Sequence, residues 1–354
     1  MNGSSADNLL INAILGVALE KKATDIHLMA GNYPVLRLDS KLFALADEKI
    51  LTVDTIAALV DSILTEADQK RLVVEKEVRT VYVWGSRARF RATVYYQQGY
   101  PAVSLRRIAD EIPDSRRWTV PAPLLEKMSV HQGLIIVCGP FNSGRTTTVA
   151  SLLQEINANQ TKRIVTIERP IEYMMVNKQS LVNQREVGRD TPSFVQGMRD
   201  LLDDDVDVVA VNDIDEEGAA EMALTLAESG KLVFVIMNAT STISALEKFV
   251  GMIAKDRRNW GKDSLISVLL GVVAQRLVPA VGGGRVLACE LLTMSAAVAS
   301  IIQEEKFPQL GNVLQTSREE GMISMDFRLM ELVRAGKISA ADAKLYAIDP
   351  NNIR

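Results

Sequence analysis

Four apolar runs, each followed by a helix-like stretch, constrain this chain more than any other feature. LIIVCG (134–139) leads to VASLLQEI, and RIVTIE (163–168) to a loop and then a helix. DVVAVN (207–212) and KLVFVIMN (231–238) each lead directly to a helix. Strands covered on both faces read as continuous apolar runs rather than as alternation. The second part of the chain is therefore expected to be α/β, a parallel sheet with helices on both faces. Near its end, RLVPAVGGGRVLACELL (276–292) reads as a hairpin turned by three glycines, with helical segments onward to the C-terminus.

The first part is written differently. Residues 6–22 carry apolar residues at three- and four-residue spacing, the mark of an amphipathic helix. DIHLMA and VLRLDSKLFAL alternate as strands, and Thr52 is placed to cap a helix over VDTIAALVDSIL. From Val78 to Ile108 the text is strand-like throughout. This predicts a small α+β domain. The proline-rich, charged segment 108–123 has little periodicity and reads as the link. The expected boundaries are 1–112 for the first domain, 113–121 for the linker and 122–354 for the second.

Composition narrows the function classes. A net charge of −4 gives no global basic field for nucleic acid or anionic lipid, so neither is expected as a partner. No apolar run approaches the ~18 residues of a membrane span, and MNGSSADNLL lacks the form of a signal peptide. Direct membrane insertion is not expected. Cys138 and Cys289 both lie in apolar strand-like runs, which fits a reducing cytoplasm better than a disulfide framework. His27 and His131 have no ligand spacing, and His27 reads as a packed or hydrogen-bonded strand residue. The acidic run Asp203 to Asp207 reads as a solvated loop.

The chemistry is concentrated in GPFNSGRTTT (139–148), which sits between a strand and a helix. That placement is what a phosphate-binding loop requires. Its backbone amides and the helix N-terminus can point at phosphate oxygens, and the helix dipole favours negative charge there. Candidate nucleotide-binding residues are Gly139, Asn142, Ser143, Gly144, Arg145, Thr146 and Thr147, with the Thr146 hydroxyl placed for Mg²⁺. An unrelated glycine turn would give the same local pattern. The other strand ends argue against it, because open α/β sheets bind ligands outside the carboxyl ends of their strands. There the chain offers Glu168, Asp213 and Asn238. Taken singly, Asp213 and Asn238 could be helix caps. Together, two acids and a polar residue beside a phosphate loop form the constellation of a P-loop ATPase.

These motifs occur in the order of a known family. The chain resembles the hexameric motor ATPases of type IV pili and type II secretion, most of all the PilT-like retraction ATPases of twitching motility. ATDIHL is similar to their N-terminal signature, SRARFRATVYY to their arginine-bearing strands, TIERPIEY to their aspartate box, DVDVVAVNDI to Walker B and KLVFVIMNATS to their histidine box. VGGGRVLACELL and AVASIIQEEK resemble stretches near their C-terminus, the second a segment associated with retraction. The resemblance implies a PAS-like N-terminal domain joined to a RecA-like motor, assembled as a homo-hexameric ring with ATP and Mg²⁺ between domains and subunits. It implies that Arg91 and Arg106 meet the nucleotide phosphates, a role suited to a planar guanidinium. The implied partners are the inner-membrane platform protein of a pilus machine and a paralogous motor ATPase, and the implied location is the cytoplasm, peripheral to the inner membrane.

Departures from the family pattern fall on the chemical positions. Arg145 stands where the family has the Walker lysine, Arg169 where it has the aspartate-box acid, Asp213 where it has the Walker B glutamate, and Asn238 where it has the box histidine. Asp203 replaces a second arginine, whereas Arg199 matches the first. Phosphoryl transfer rests almost wholly on positioning and charge neutralisation. Losing one preorganised contact to the transition state costs ~10²–10³ in rate. Two readings follow: a pilus motor subunit that binds ATP with weak or lost hydrolysis, and a non-catalytic regulatory subunit assembling with an active paralogous motor.

Overall fold

In a computed structural model, the described residues are 5–38, 41–108, 111–114, 121–126, 130–212 and 214–353. The expected linker 113–121 lies mostly outside them. Contacts divide the chain into two compact units, Met1–Glu111 with Pro170–Tyr173, and Ile112–Arg169 with Met174–Arg354.

The first unit runs α1 (Ser5–Glu20), β1 (Asp25–Met29), β2 (Val35–Leu38), β3 (Lys41–Ala44), α2 (Val53–Ile63), α3 (Glu66–Glu75), β4 (Glu77–Trp84), β5 (Ala88–Gln97) and β6 (Tyr100–Ile108). Its six strands form one antiparallel sheet in the order β3-β2-β1-β6-β5-β4. Strict alternation on β5 buries Ala88, Phe90, Ala92 and Val94 on one face, and Ile14, Leu15, Ile56 and Leu59 of α1 and α2 join them in one core. The same period places Arg89 and Arg91 on the other face. Thr52 caps α2 as the sequence indicates, accepting from the Thr55 N–H.

The second unit runs α4 (Ala122–Glu126), β7 (Gly133–Gly139), α5 (Arg145–Asn159), β8 (Arg163–Glu168), β9 (Leu181–Glu186), α6 (Phe194–Arg199), β10 (Val208–Val211), α7 (Ala219–Glu228), β11 (Leu232–Asn238), α8 (Thr242–Met252) and α9 (Arg258–Val268). It continues with β12 (Leu269–Pro279), β13 (Arg285–Thr293), α10 (Ala296–Gln303), α11 (Leu310–Thr316), α12 (Met325–Arg334) and α13 (Ala340–Tyr346). The seven strands are ordered β13-β12-β7-β11-β10-β8-β9. All are parallel except β13, which pairs antiparallel with β12 in the expected hairpin. Gly282, Gly283 and Gly284 turn it with positive φ.

Both faces of this sheet are covered. Leu134, Ile136 and Cys138 of β7 point into a core shared with α7 and α8, and Ile135 and Val137 into one shared with Val149, Leu152 and Ile156 of α5. The α/β expectation is met. The strand β9 replaces part of what reads as loop after RIVTIE. Among the described residues no helix is long and apolar enough to cross a membrane.

Candidate functional site

Helix α5 opens on Gly144, whose φ of +85° lies in the left-handed region and which supplies no side-chain cap. The first-turn amides of a helix have no partner within it, so this terminus is built to receive an anion. Two residues earlier Asn142 is also left-handed, with φ +69°. The loop is packed as closely as it is bent. A Cβ on Gly139 would stand 2.3 Å from Ser143 Oγ and 2.6 Å from the Gln275 carbonyl oxygen. Arg145, Thr146 and Thr147 form the first turn of α5 and are partly exposed. All seven expected loop residues therefore lie at one strand-to-helix turn, where helix N-terminal amides are the donor type that a phosphate group would take.

Of the candidate strand ends, that of β11 lies beside this turn, whereas β8 is three strands from β7 in the sheet. Asn238 closes β11 directly opposite Gly139 in the parallel register, and it is exposed. Its carbonyl accepts from Lys248 Nζ at 3.2 Å. Glu168 closes β8 and is buried, and its carboxylate accepts from Thr166 Oγ1 at 2.7 Å, Gln184 Nε2 at 3.0 Å and Asn212 Nδ2 at 3.3 Å. Asp213 lies outside the described residues.

Arg169, the charge-reversed position, ion-pairs with Glu216 at 2.8 Å and stacks over the Phe194 ring with its guanidinium carbon 4.8 Å from the centroid. The other oxygen of Glu216 accepts from the Phe194 and Val195 amides at the start of α6. Arg199 and Asp203 are exposed. Asp207, at the end of the acidic run, accepts from the Arg163 amide at 2.8 Å and from Lys162 Nζ at 3.1 Å. Burial works against its charge, yet those donors outweigh it and hold the carboxyl below its usual range.

In the first unit Arg91 and Arg106 face each other across β5 and β6, and Asp25 of β1 continues the row. Arg106 grips the buried Asp25 through Nε at 2.8 Å and Nη2 at 2.5 Å. Arg91 ion-pairs with Glu172, whose backbone carbonyl accepts from Arg89 at 2.6 Å. Both arginines are already engaged by carboxylates. His27 bonds Ser104 Oγ through Nδ1 at 3.1 Å.

Two buried polar residues escape sequence reasoning. Gln275 of β12 is fully buried and donates from Nε2 to the Ser143 carbonyl at 2.7 Å. Glu290 of β13 is 1% exposed and accepts from the Thr242 amide and hydroxyl and from the Met325 amide. The signal of each is a polar interruption of an apolar run, Gln275 beside Arg276 in VVAQRLV and Glu290 in LACELL. Cys138 and Cys289 are both buried among apolar groups. Burial raises the Cys138 thiol above its ordinary value and pushes that of Cys289 up to about 12, so neither supplies a thiolate near neutral pH.

Comparison with known proteins places this site in a family context. Residues 118–283 match a family described as "Type II/IV secretion system protein". The type IV pilus retraction ATPase PilT of Pseudomonas aeruginosa is 31% identical over 97% of this chain and 99% of its own. The type IV pilus ATPase PilU of the same organism is 28% identical over 96% of this chain and 89% of its own. A crystal structure of the pilus retraction motor PilT with bound ADP superposes with a TM-score of 0.82, at 36% identity over 96% of this chain and 97% of that one.

Proposed function

Because the chain belongs to the type II/IV secretion family, among its PilT-like motor ATPases, we propose that it is a pilus-motor subunit that binds ATP and hydrolyses it weakly or not at all. The observation that carries this reading is a contrast between the loop after β7 and the end of β8. What supports phosphate binding is the loop after β7, whose Gly139 and Gly144 stand where no larger residue fits without strain. The acid position beside Glu168 is instead an arginine committed to Glu216 and Phe194. A cation there cannot accept a proton or orient a water as a carboxylate does.

Nucleotide phosphates would rest on the α5 terminus and the Arg145 guanidinium, and Thr146 would hold Mg²⁺, which characteristically keeps waters and phosphate oxygens as its remaining ligands. The bound ion would neutralise charge on the phosphates. Arginine is planar and bulkier than the compact ammonium of lysine, so it meets those oxygens from a different position. Glu168, held by Thr166, Gln184 and Asn212 among the described residues, would be the carboxylate left to orient a water. Assembly as a hexameric ring on the inner-membrane machinery of a pilus or secretion system accompanies this reading. In such a ring Arg91 would exchange Glu172, and Arg106 would exchange Asp25, for phosphate oxygens.

Phosphate release with Mg·ATP tests the proposal, with an Arg145→Lys variant and the P. aeruginosa PilT assayed beside it. The expected result is wild-type turnover at least ~10²-fold below PilT, with a gain in Arg145→Lys, the scale being that of one lost electrostatic contact. Turnover equal to that of PilT, lost in Arg145→Ala, would overturn it.

A second reading has its own support: PilT and PilU occur in one organism and both align with nearly this whole chain. In that reading the chain is a non-catalytic regulatory subunit in a mixed ring. Co-purification with an active paralogue, and stimulation of that paralogue's ATPase by this chain, would favour it over the homomeric motor.

A further inference from the structure

Strand β12 runs parallel to β7 with Ala274 opposite Cys138, so Gln275 follows beside Gly139, where the phosphate loop leaves the sheet. A side-chain amide at 0% exposure in such a strand is costly unless it is hydrogen-bonded. Its Nε2 donates to the Ser143 carbonyl at 2.7 Å, and its Oε1 has no partner among the described residues. One bond therefore fixes the amide, and the same bond fixes the peptide between Ser143 and Gly144.

The two ends of that peptide do different work. In a trans peptide the C=O and the following N–H point in opposite directions. With the Ser143 carbonyl held inward on Gln275, the Gly144 N–H is turned outward, toward the face where a phosphate would sit. Gly144 at φ +85° is a hinge that could present this peptide either way, since glycine populates both signs of φ readily. The Gln275 carbonyl and the Ser143 side chain both crowd the side of Gly139 where a Cβ would project, so the loop is closely packed there.

We infer that Gln275 is a positioning residue for the nucleotide: without touching it, Gln275 holds the Ser143–Gly144 peptide in the orientation that aims the Gly144 N–H at a phosphate. This rests on the nucleotide-binding reading above.

The test is calorimetric titration with Mg·ADP, together with the melting temperature of every variant. If wild type does not bind Mg·ADP, the nucleotide reading fails and not this inference alone. Gln275→Met fills the same space without a donor, and its Kd should rise about tenfold, the scale of a carbonyl left buried without its hydrogen bond. Gln275→Glu separates hydrogen bonding from packing. Burial beside a carbonyl raises a carboxyl pKa, and the protonated acid can donate as the amide does. Relative to wild type at each pH, Gln275→Glu should bind within about threefold at pH 6 and weaken more than tenfold by pH 8.5. The Gln275→Met ratio should stay flat across that range. Binding by both variants within about twofold of wild type at every pH overturns the inference, as does a Gln275→Glu ratio that does not change with pH. If Gln275→Glu unfolds at high pH, Gln275→Met, with its melting temperature unchanged, decides the matter alone.

Discussion

A glycine at the mouth of the site carries the heaviest conformational demand. Gly144 combines a left-handed φ with neighbours at ordinary contact distance, Leu277 Cδ1 at 3.4 Å and Gln275 Nε2 at 3.5 Å from a built Cβ. Space is thus nearly sufficient for alanine, and the backbone is the obstacle. Gly144→Ala should cost about 1–2 kcal/mol of stability, the price of the left-handed region for a residue with a Cβ. Urea unfolding measures that cost, and Mg·ADP titration should show weakened binding as the peptide seeks another orientation. A variant as stable as wild type would mean that the loop adopts a different φ. Arg169 illustrates the converse: a residue that reads as a charge reversal has a complete local role, pairing with Glu216 and covering Phe194.

Among the elements, legibility follows burial. β7, β8, β10 and β11 are read directly because both faces of a central strand are apolar. β9 is not, because LVNQRE lies at the edge of the sheet and is half exposed, so no continuous apolar run marks it. α3 is missed because Leu72 alone is buried, and its ends are set by the Thr65 cap and a left-handed Lys76 rather than by a periodic face. The turn from β7 into α5 and the strand ends at Glu168 and Asn238 are legible from spacing and position. Arg91 and Arg106 are legible only through the family resemblance. Gln275 and Glu290 carry no motif, since what makes them matter is a partner far off in the sequence, the Ser143 carbonyl for one and the Thr242 and Met325 amides for the other. Glu290 accepts from the amides that open α8 and α12, one carboxylate satisfying two helix N-termini. Removing it leaves two buried N–H groups without partners. Glu290→Ala should therefore destabilise the second unit by about 3 kcal/mol, read from denaturant midpoints at constant slope. A loss below about 1 kcal/mol would show that water replaces the carboxylate.

At the scale of the whole molecule, the two units have separate cores, so a titration in one need not weaken the other. His27, one of two histidines in the chain, belongs to the first unit. Burial lowers its pKa. Asp25 opposes that shift, whereas Arg37 and Arg106 reinforce it. The folded state consequently binds fewer protons than the unfolded state below about pH 6.5, the ordinary histidine value. Stability then falls as pH drops through that value and levels off below the folded pKa; above about pH 7.5 the residue contributes nothing. Asp207 in the second unit behaves at a different pH, its stabilisation being present above the ordinary aspartate range and lost only below it. Between pH 7.5 and 5.5 the two units should thus part company. Hydrogen-exchange protection factors for β1 and β6 should decline over this window, while those for β7 and β11 decline less. His27→Gln, which keeps a group able to bond Ser104, should flatten the decline in β1 and β6. An equal slope in wild type and variant would remove His27 as its source.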